Sequence, residues 1–295
     1  MKELKKEDLS QDVFDLYDDY AHNRIPRYLF VEKLAAYAIG GITVSSLLSF
    51  MLPDYVNTFT VDANDRRINS ETIVFDSPKG GGEKKGFLSM PKKRKQKLPG
   101  IIVVHENSGL NPYIADVGRR AAIEGFISLA PDALSPLGGY PGNDDDGREM
   151  QKKCDRFEML EDFIAAYEYL KNPADCNGKV GVVGFCFGGW IANMMAVKVP
   201  DLVAAVPFYG GQPDVADVPF IKAPLLLHFA ELDLRVNEGW PLYEEALKLH
   251  QKQYTAYMYP NVNHGFHNNT TPRYDQDAAQ LAWQRSTDFF SHNLK

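Results

Sequence analysis

The sequence predicts an α/β fold with a mostly parallel central sheet, and three observations lead there. From residue 100 onward, short apolar β-branched runs alternate with amphipathic stretches of helix length. Near-continuous apolar strands separated by helices are what a parallel sheet covered on both faces requires. Of the 295 residues, 44 % are hydrophobic and 12 % aromatic, enough for a sizeable core and against wholesale disorder. Finally, a glycine-flanked turn around residue 186 joins a β run directly to a helical one, the junction at which such sheets display a reactive side chain.

The first fifty-odd residues differ in texture. They open on the acidic, aromatic stretch Asp12 to Tyr20, and residues 34–52 carry no charged side chain. That run is near the roughly 20 apolar residues needed to cross a bilayer. Gly40, Gly41, Thr43, Ser45, Ser46 and Ser49 dilute it, so we favour a buried or groove-packed helix over a signal or membrane anchor. Residues 1–55 are therefore expected to form an N-terminal helical extension and residues 56–295 a single α/β domain. Runs at 72–75 and 86–90 flank Pro78-Lys-Gly-Gly-Gly82, whose glycines accept positive φ, and this reads as an antiparallel hairpin. The basic knot 92–97 is expected to be a solvated loop.

The remaining strands are expected at 101–104, 126–130, 180–183, 203–208, 225–229 and 256–259. Helices are expected at 114–123, 157–170, 190–197, 242–251 and 277–290. The acidic run 143–146 is read as an exposed loop. With 32 Lys and Arg against 39 Asp and Glu, the net charge is −7, the wrong sign for an electrostatic nucleic-acid binder. Three cysteines, Cys154, Cys176 and Cys186, are too few for a disulfide framework and point to a reducing compartment or a thiol kept for its reactivity. The cytoplasm is the expected location, with export or anchoring through residues 34–52 as the alternative. A homo-oligomer is compatible with the sequence.

The chemistry is concentrated in Gly184-Phe-Cys186-Phe-Gly188. This is a nucleophile elbow with sulfur in place of oxygen: the turn holds its central residue in a strained conformation, and only glycine at the flanking positions lets strand and helix approach. A structural cysteine in a tight βα turn is the bland alternative. The partners of such a nucleophile follow in the order acid, then histidine. Asp233 lies just after the strand at 225–229, and His264 follows the strand at 256–259. Glu231 competes with Asp233, and His267 and His228 compete with His264; His228 sits inside an apolar strand and reads as a core residue. Two nearby imidazoles at 264 and 267 without a third ligand at suitable spacing make a poor metal site, so no metal is expected, and no dinucleotide or phosphate-binding glycine pattern implies a cofactor.

These residues resemble the dienelactone hydrolases, α/β-hydrolases with a Cys-His-Asp triad. Besides the elbow, Asp233 and His264, the segment Val104-His-Glu106-Asn-Ser-Gly-Leu-Asn111, Ala130-Pro-Asp132 and Arg148 fit that family over most of residues 70–293. The extension and Gly138-Gly-Tyr-Pro-Gly-Asn-Asp-Asp145 are similar to a bacterial subgroup of it. The resemblance implies that Glu106 contacts the resting thiol and helps deprotonate it, and that the backbone N–H groups of Phe187 and Asn107 form the oxyanion hole. It also implies a small ester or lactone substrate. Members acting on dienelactone hold its carboxylate with an arginine shortly after the histidine; Asn268 stands there in this chain, leaving Arg148 and Arg273 as the candidate substrate-binding cations. A general carboxylesterase or thioesterase of the same fold, and a non-catalytic membrane-associated binding protein, are the competing readings.

Overall fold

A computed structural model describes residues 4–172 and 174–295. The chain opens with helices α1 (Gln11–Ala21), α2 (Arg27–Leu34) and α3 (Val44–Met51). They enclose a small core of their own, in which Phe14, Tyr17, Phe30, Leu34, Leu47 and Met51 are buried together. The uncharged stretch 34–52 is not one helix, as its composition led us to expect. Gly40 and Gly41 adopt positive φ and turn the chain, and Thr43 starts α3 by accepting a hydrogen bond from the Ser46 N–H, a cap that lets the helix begin there rather than continue from α2. Among the described residues no helix is long and apolar enough to cross a membrane.

The remainder is an α/β-hydrolase fold around an 8-stranded sheet. Strands β1 (Ile68–Ser77) and β2 (Gly82–Pro91) form the expected hairpin. Then follow β3 (Leu98–Val104), α4 (Pro112–Ile123), β4 (Ile127–Pro131), α5 (Asp144–Gln151), α6 (Arg156–Lys171), β5 (Cys176–Phe185) and α7 (Phe187–Lys198). The chain closes with β6 (Ala204–Phe208), β7 (Leu225–Ala230), the short α8 (Leu234–Asn237), α9 (Trp240–Leu249), β8 (Tyr254–Tyr259) and α10 (Gln276–Leu294). The strand order is β1-β2-β4-β3-β5-β6-β7-β8, antiparallel at the β1–β2 and β2–β4 edges and parallel from β4 onward.

Side-chain alternation explains the two covered faces. Along β3, Ile102 and Val104 join α6, α7 and α9 through Leu160, Ile191 and Leu247. Ile101 and Val103 point the other way, toward Ile114 and Val117 of α4 and Ala282 and Phe290 of α10. Each such side chain contributes about 1.5–3 kcal/mol through removal from water, so the period-2 pattern fixes which way every strand faces. The parallel strands run in one direction, and their carboxyl ends, with the loops that leave them, gather on one edge.

The acidic run 143–146 is a helix start and not the exposed loop the sequence suggested. The Asn143 side chain accepts from the Asp146 N–H and caps α5, and three acidic side chains in the first turn oppose the positive end of the helix dipole.

Candidate active site

Cys186 sits between β5 and α7 with φ 57° and ψ −113°, a conformation non-glycine residues adopt only when their surroundings enforce it. The enforcement is visible. A Cβ on Gly184 would lie 1.9 Å from the Gly188 carbonyl oxygen, and one on Gly188 would lie 2.5 Å from the Val104 carbonyl oxygen. The Cys186 N–H donates to the Phe208 carbonyl at 3.1 Å, anchoring the turn to β6. The thiol is thereby held at the N-terminus of α7, where free N–H groups and the dipole favour developing negative charge.

Asp233 follows β7 and caps α8, accepting from the Val236 N–H at 3.2 Å. His264 lies in the loop after β8, and its Nδ1 donates to Asp233 Oδ2 at 2.6 Å. Both side chains are nearly inaccessible, at 1 % for Asp233 and 4 % for His264. Burial alone would push the imidazole down, but Asp233, Cys186 and Asp18 outweigh it and hold His264 above its ordinary value. Burial would likewise raise Asp233, yet His264 and Arg235 keep it below the usual carboxylate range. Cys186 Sγ lies within 4.8 Å of an imidazole nitrogen of His264, so the elbow, the acid and the histidine converge. Glu231 instead accepts from the Asn261 backbone at the surface. His228 bonds Tyr259 and Ser286 in the core, and His267 bonds Tyr113.

What touches the thiol was not foreseen. The hydrogen-bond partner of Sγ is Nε2 of His22, 3.2 Å away, from the end of α1. Glu106, expected on the thiol, instead accepts from Asn268 Nδ2 at 2.8 Å; Asn268, standing where a substrate-binding arginine was sought, holds that carboxylate. Burial pushes the Glu106 carboxyl up, against Arg273 and His264, which lower it. His22 is itself oriented: Nδ1 donates to the Asp18 carbonyl at 2.9 Å and lies 3.1 Å from Asp18 Oδ1, which leaves Nε2 as the lone-pair nitrogen. Arg235 lies between the two imidazoles: its Nη2 donates to His22 Nε2 at 3.1 Å and stands 3.1 Å from His264 Nδ1, whose proton is given to Asp233, while its Nε donates to Asp18 at 3.2 Å.

Helix α1 thus roofs the thiol. Between the roof and the elbow remains a cavity of about 20 Å³, the room of one water molecule. Tyr17, Glu106, Arg148 and Arg273 are among its walls. A neighbouring cleft of about 130 Å³ reaches Asp233 and His264 between α1 and the start of α8, which carries Arg235. Arg148 pairs with Asp145 and lies over the Tyr20 ring at 5.1 Å. Arg273 lies under the Tyr17 ring at 4.9 Å; its Nε and Nη1 are buried without a hydrogen-bond acceptor among the described residues, and Nη1 lies 3.7 Å from Asp18 Oδ1. The Asn107 side chain donates to the Ala21 carbonyl, a further tie between roof and floor.

The sequence carried no signal for His22, Asp18 or Arg235: their meeting around Cys186 and His264 includes hydrogen bonds between positions 217 residues apart, and no motif surrounds them.

Comparison with known proteins fits this architecture. Residues 85–294 match the Dienelactone hydrolase family, and residues 1–38 match a region described as YqhI-like. "Protein usf" of Aquifex pyrophilus is 34 % identical over 73 % of this chain and 96 % of its own. A Bradyrhizobium protein named "Probable 2-oxo-3-(5-oxofuran-2-ylidene)propanoate lactonase" is 28 % identical over 76 % of this chain and 97 % of its own. Among solved structures, dienelactone hydrolase from Anabaena variabilis superposes with TM-score 0.61 at 21 % identity, covering 78 % of this chain and all (100 %) of that one, a likeness of fold. The chain belongs to the dienelactone hydrolase family of α/β-hydrolases and is a hydrolase by family, with an additional N-terminal region over the site.

Proposed function

We propose that the chain hydrolyses a small ester or lactone bearing an anionic group, through Cys186, His264 and Asp233. The single observation that carries this reading is the strained Cys186 at a helix N-terminus with the buried Asp233–His264 pair, bonded at 2.6 Å, beside it. In the reaction the thiol proton passes to His264 Nε2 and Sγ attacks the carbonyl carbon. The oxyanion that forms is received by the N–H groups of Phe187 and Asn107. The C–O bond breaks, the leaving oxygen takes the proton from the imidazolium, and an acyl-thioester remains. A water molecule then gives a proton to His264 and attacks the acyl carbon; the acid departs and the thiol is restored. Glu106, in the same cavity with a carboxyl raised by burial, assists by exchanging a proton with the thiol once substrate displaces its present partner.

The anionic preference rests on Arg273, whose buried Nε and Nη1 have no acceptor among the described residues. An unsatisfied buried guanidinium is costly and fits a carboxylate bidentately, with Arg148 as the second cation. The name of the Bradyrhizobium relative, a lactonase of a propanoate, is consistent with such a substrate. A cavity of about 20 Å³ admits no lactone, so α1 lifts to let substrate in, and the thiol passes from His22 to His264.

The test compares a dienelactone with neutral p-nitrophenyl esters. The lactone is expected to win by orders of magnitude in kcat/KM, and Cys186→Ala to abolish turnover of both. Equal rates on all esters would favour a general carboxylesterase, and an active Cys186→Ala protein would remove the proposal.

A further inference from the structure

Three donor atoms of the kind that borderline and soft transition-metal ions prefer meet above the elbow. Nε2 of His22, Sγ of Cys186 and a ring nitrogen of His264 lie within 4.8 Å of one another. His264 uses Nδ1 on Asp233, so the nitrogen it offers is Nε2, which is buried and has no hydrogen-bond partner among the described residues. Both imidazoles are held at Nδ1. His22 donates from Nδ1 to the Asp18 backbone carbonyl at 2.9 Å, with Asp18 Oδ1 3.1 Å away, and His264 donates from Nδ1 to the Asp233 carboxylate at 2.6 Å. An acceptor behind the far nitrogen, carboxylate or backbone carbonyl, fixes the tautomer, aims the Nε2 lone pair and raises its basicity, which is the usual outer support of a metal-bound histidine.

We propose that His22, Cys186 and His264 bind one Zn²⁺-class ion, with water in the fourth position. In a tetrahedral site with Zn–N near 2.0–2.1 Å and Zn–S near 2.3 Å, donor atoms stand about 3.3–3.6 Å apart. The His22–Cys186 edge, at 3.2 Å, is already close to that, and the edges to His264, within 4.8 Å, need to close by no more than about 1.5 Å. The cavity of about 20 Å³ alongside holds the water. Binding converts the thiol to thiolate and releases its proton to solvent. The ion therefore masks the nucleophile and, because one ligand comes from α1 and two from the catalytic body, latches the roof shut.

Arg235 opposes the ion. Its Nη2 donates to the His22 Nε2 lone pair at 3.1 Å, so the metal displaces this contact while the guanidinium keeps Asp18 through Nε. Removing the ligand His22 and removing its competitor Arg235 should consequently change affinity in opposite directions. The inference uses only the donor set and does not rest on the hydrolytic reading.

The experiment is a Co²⁺ titration of the full-length, chelator-stripped and reduced chain, followed by its thiolate-to-cobalt charge-transfer absorption and by the strong visible bands of tetrahedral Co²⁺. One equivalent is expected to bind, and Zn²⁺ to displace it stoichiometrically. Asp18→Asn should weaken binding by about 10–100-fold. His22→Ala and His22→Gln should weaken it more, Cys186→Ser should remove the charge-transfer band, and Arg235→Gln should tighten binding. No band in the folded wild type, or an unchanged affinity in both His22 variants and in Asp18→Asn, would overturn the site. Hydrolysis measured separately in excess chelator tests the reaction, so the two ideas fail independently.

Discussion

Two Asp–His pairs approach one sulfur atom, and they are built very differently. Asp233 and His264 come from separate loops at the carboxyl edge of the sheet, are 1 % and 4 % exposed, and bond at 2.6 Å. Asp18 and His22 are four residues apart on a single helix turn, 17 % and 15 % exposed, at 3.1 Å. The first pair exists only if β7, β8 and the core beneath them are in place, so it is as permanent as the fold. The second belongs to three helices with a core of their own. Their ties to the catalytic body near the site are polar: Gln11 to Asn263, Asn107 to Ala21, Arg235 to Asp18 and Lys6 to the Tyr274 carbonyl. Part-buried polar ties of this kind are individually worth about 0.5–3 kcal/mol, the charged ones at the upper end. A fully buried pair suits chemistry that must be repeated every turnover; a partly exposed pair on a separate layer of helices suits a contact that is made and released.

The largest effect should come from deleting the sulfur or the permanent imidazole. Cys186→Ala and His264→Ala are each expected to lower kcat/KM on activated esters by about a thousandfold or more, whereas His22→Ala should leave catalysis within about tenfold of wild type. Equal losses at both histidines, read from steady-state kinetics, would erase the distinction between the pairs.

Next in size is substrate selection. Arg273→Leu should raise KM for an anionic lactone by about 10- to 100-fold, the equivalent of roughly 1.5–3 kcal/mol for charge-assisted hydrogen bonds, and leave neutral esters nearly unchanged. A uniform loss on both classes would show that Arg273 only supports the fold.

The roof itself should give a smaller effect. His22→Ala, or Asp18→Asn, is expected to speed alkylation of Cys186 by iodoacetamide several-fold, because Sγ loses its partner and α1 loses a tie to Arg235. A slower reaction, followed by intact mass, would mean that His22 activates the thiol instead of covering it.

The smallest effect is on stability against pH. His264 is raised in the fold, so the native state holds its proton more tightly than the unfolded chain does. The resulting stability is fully present below the ordinary imidazole value of about 6.5 and is lost as pH rises through the higher folded value. Asp233 is lowered, so its share is present above about 3.9 and is lost as pH falls through the folded value. Denaturant unfolding should therefore show the gap between wild type and His264→Gln widest near pH 5–6 and narrower toward pH 9. A gap constant across this range would mean that the Asp233–His264 bond does not favour the protonated imidazole.

Much of this site was legible in the sequence because its signals are local. The elbow is a five-residue pattern, and Asp233 and His264 each follow an apolar strand, so a strand-by-strand reading reaches them. The observed strands agree closely with the expected ones; Val180–Val183, for example, lies within β5. Where the reading failed, short-range chemistry had overridden composition. Residues 34–52 looked continuous because hydropathy is indifferent to the Gly40-Gly41 turn and the Thr43 cap, and residues 143–146 looked like a loop because Asn143 was not recognised as a helix start. His22 was illegible for another reason: docking of α1 on the elbow is a tertiary event between remote segments, and an isolated histidine at a helix end carries no pattern. Glu106 was found, but its partner was not, since the Asn268 contact depends on how two loops meet.

The proposed reaction requires Cys186 to form the covalent bond to substrate. Rapid quenching of the full-length protein with a slowly deacylating ester, followed by intact mass and peptide mapping, tests it most directly. One acyl group per chain is expected on Cys186, absent in Cys186→Ala and accumulating in His264→Ala only if acylation still occurs there. Turnover by the wild type with no adduct, or with the acyl group on any other residue, would contradict it.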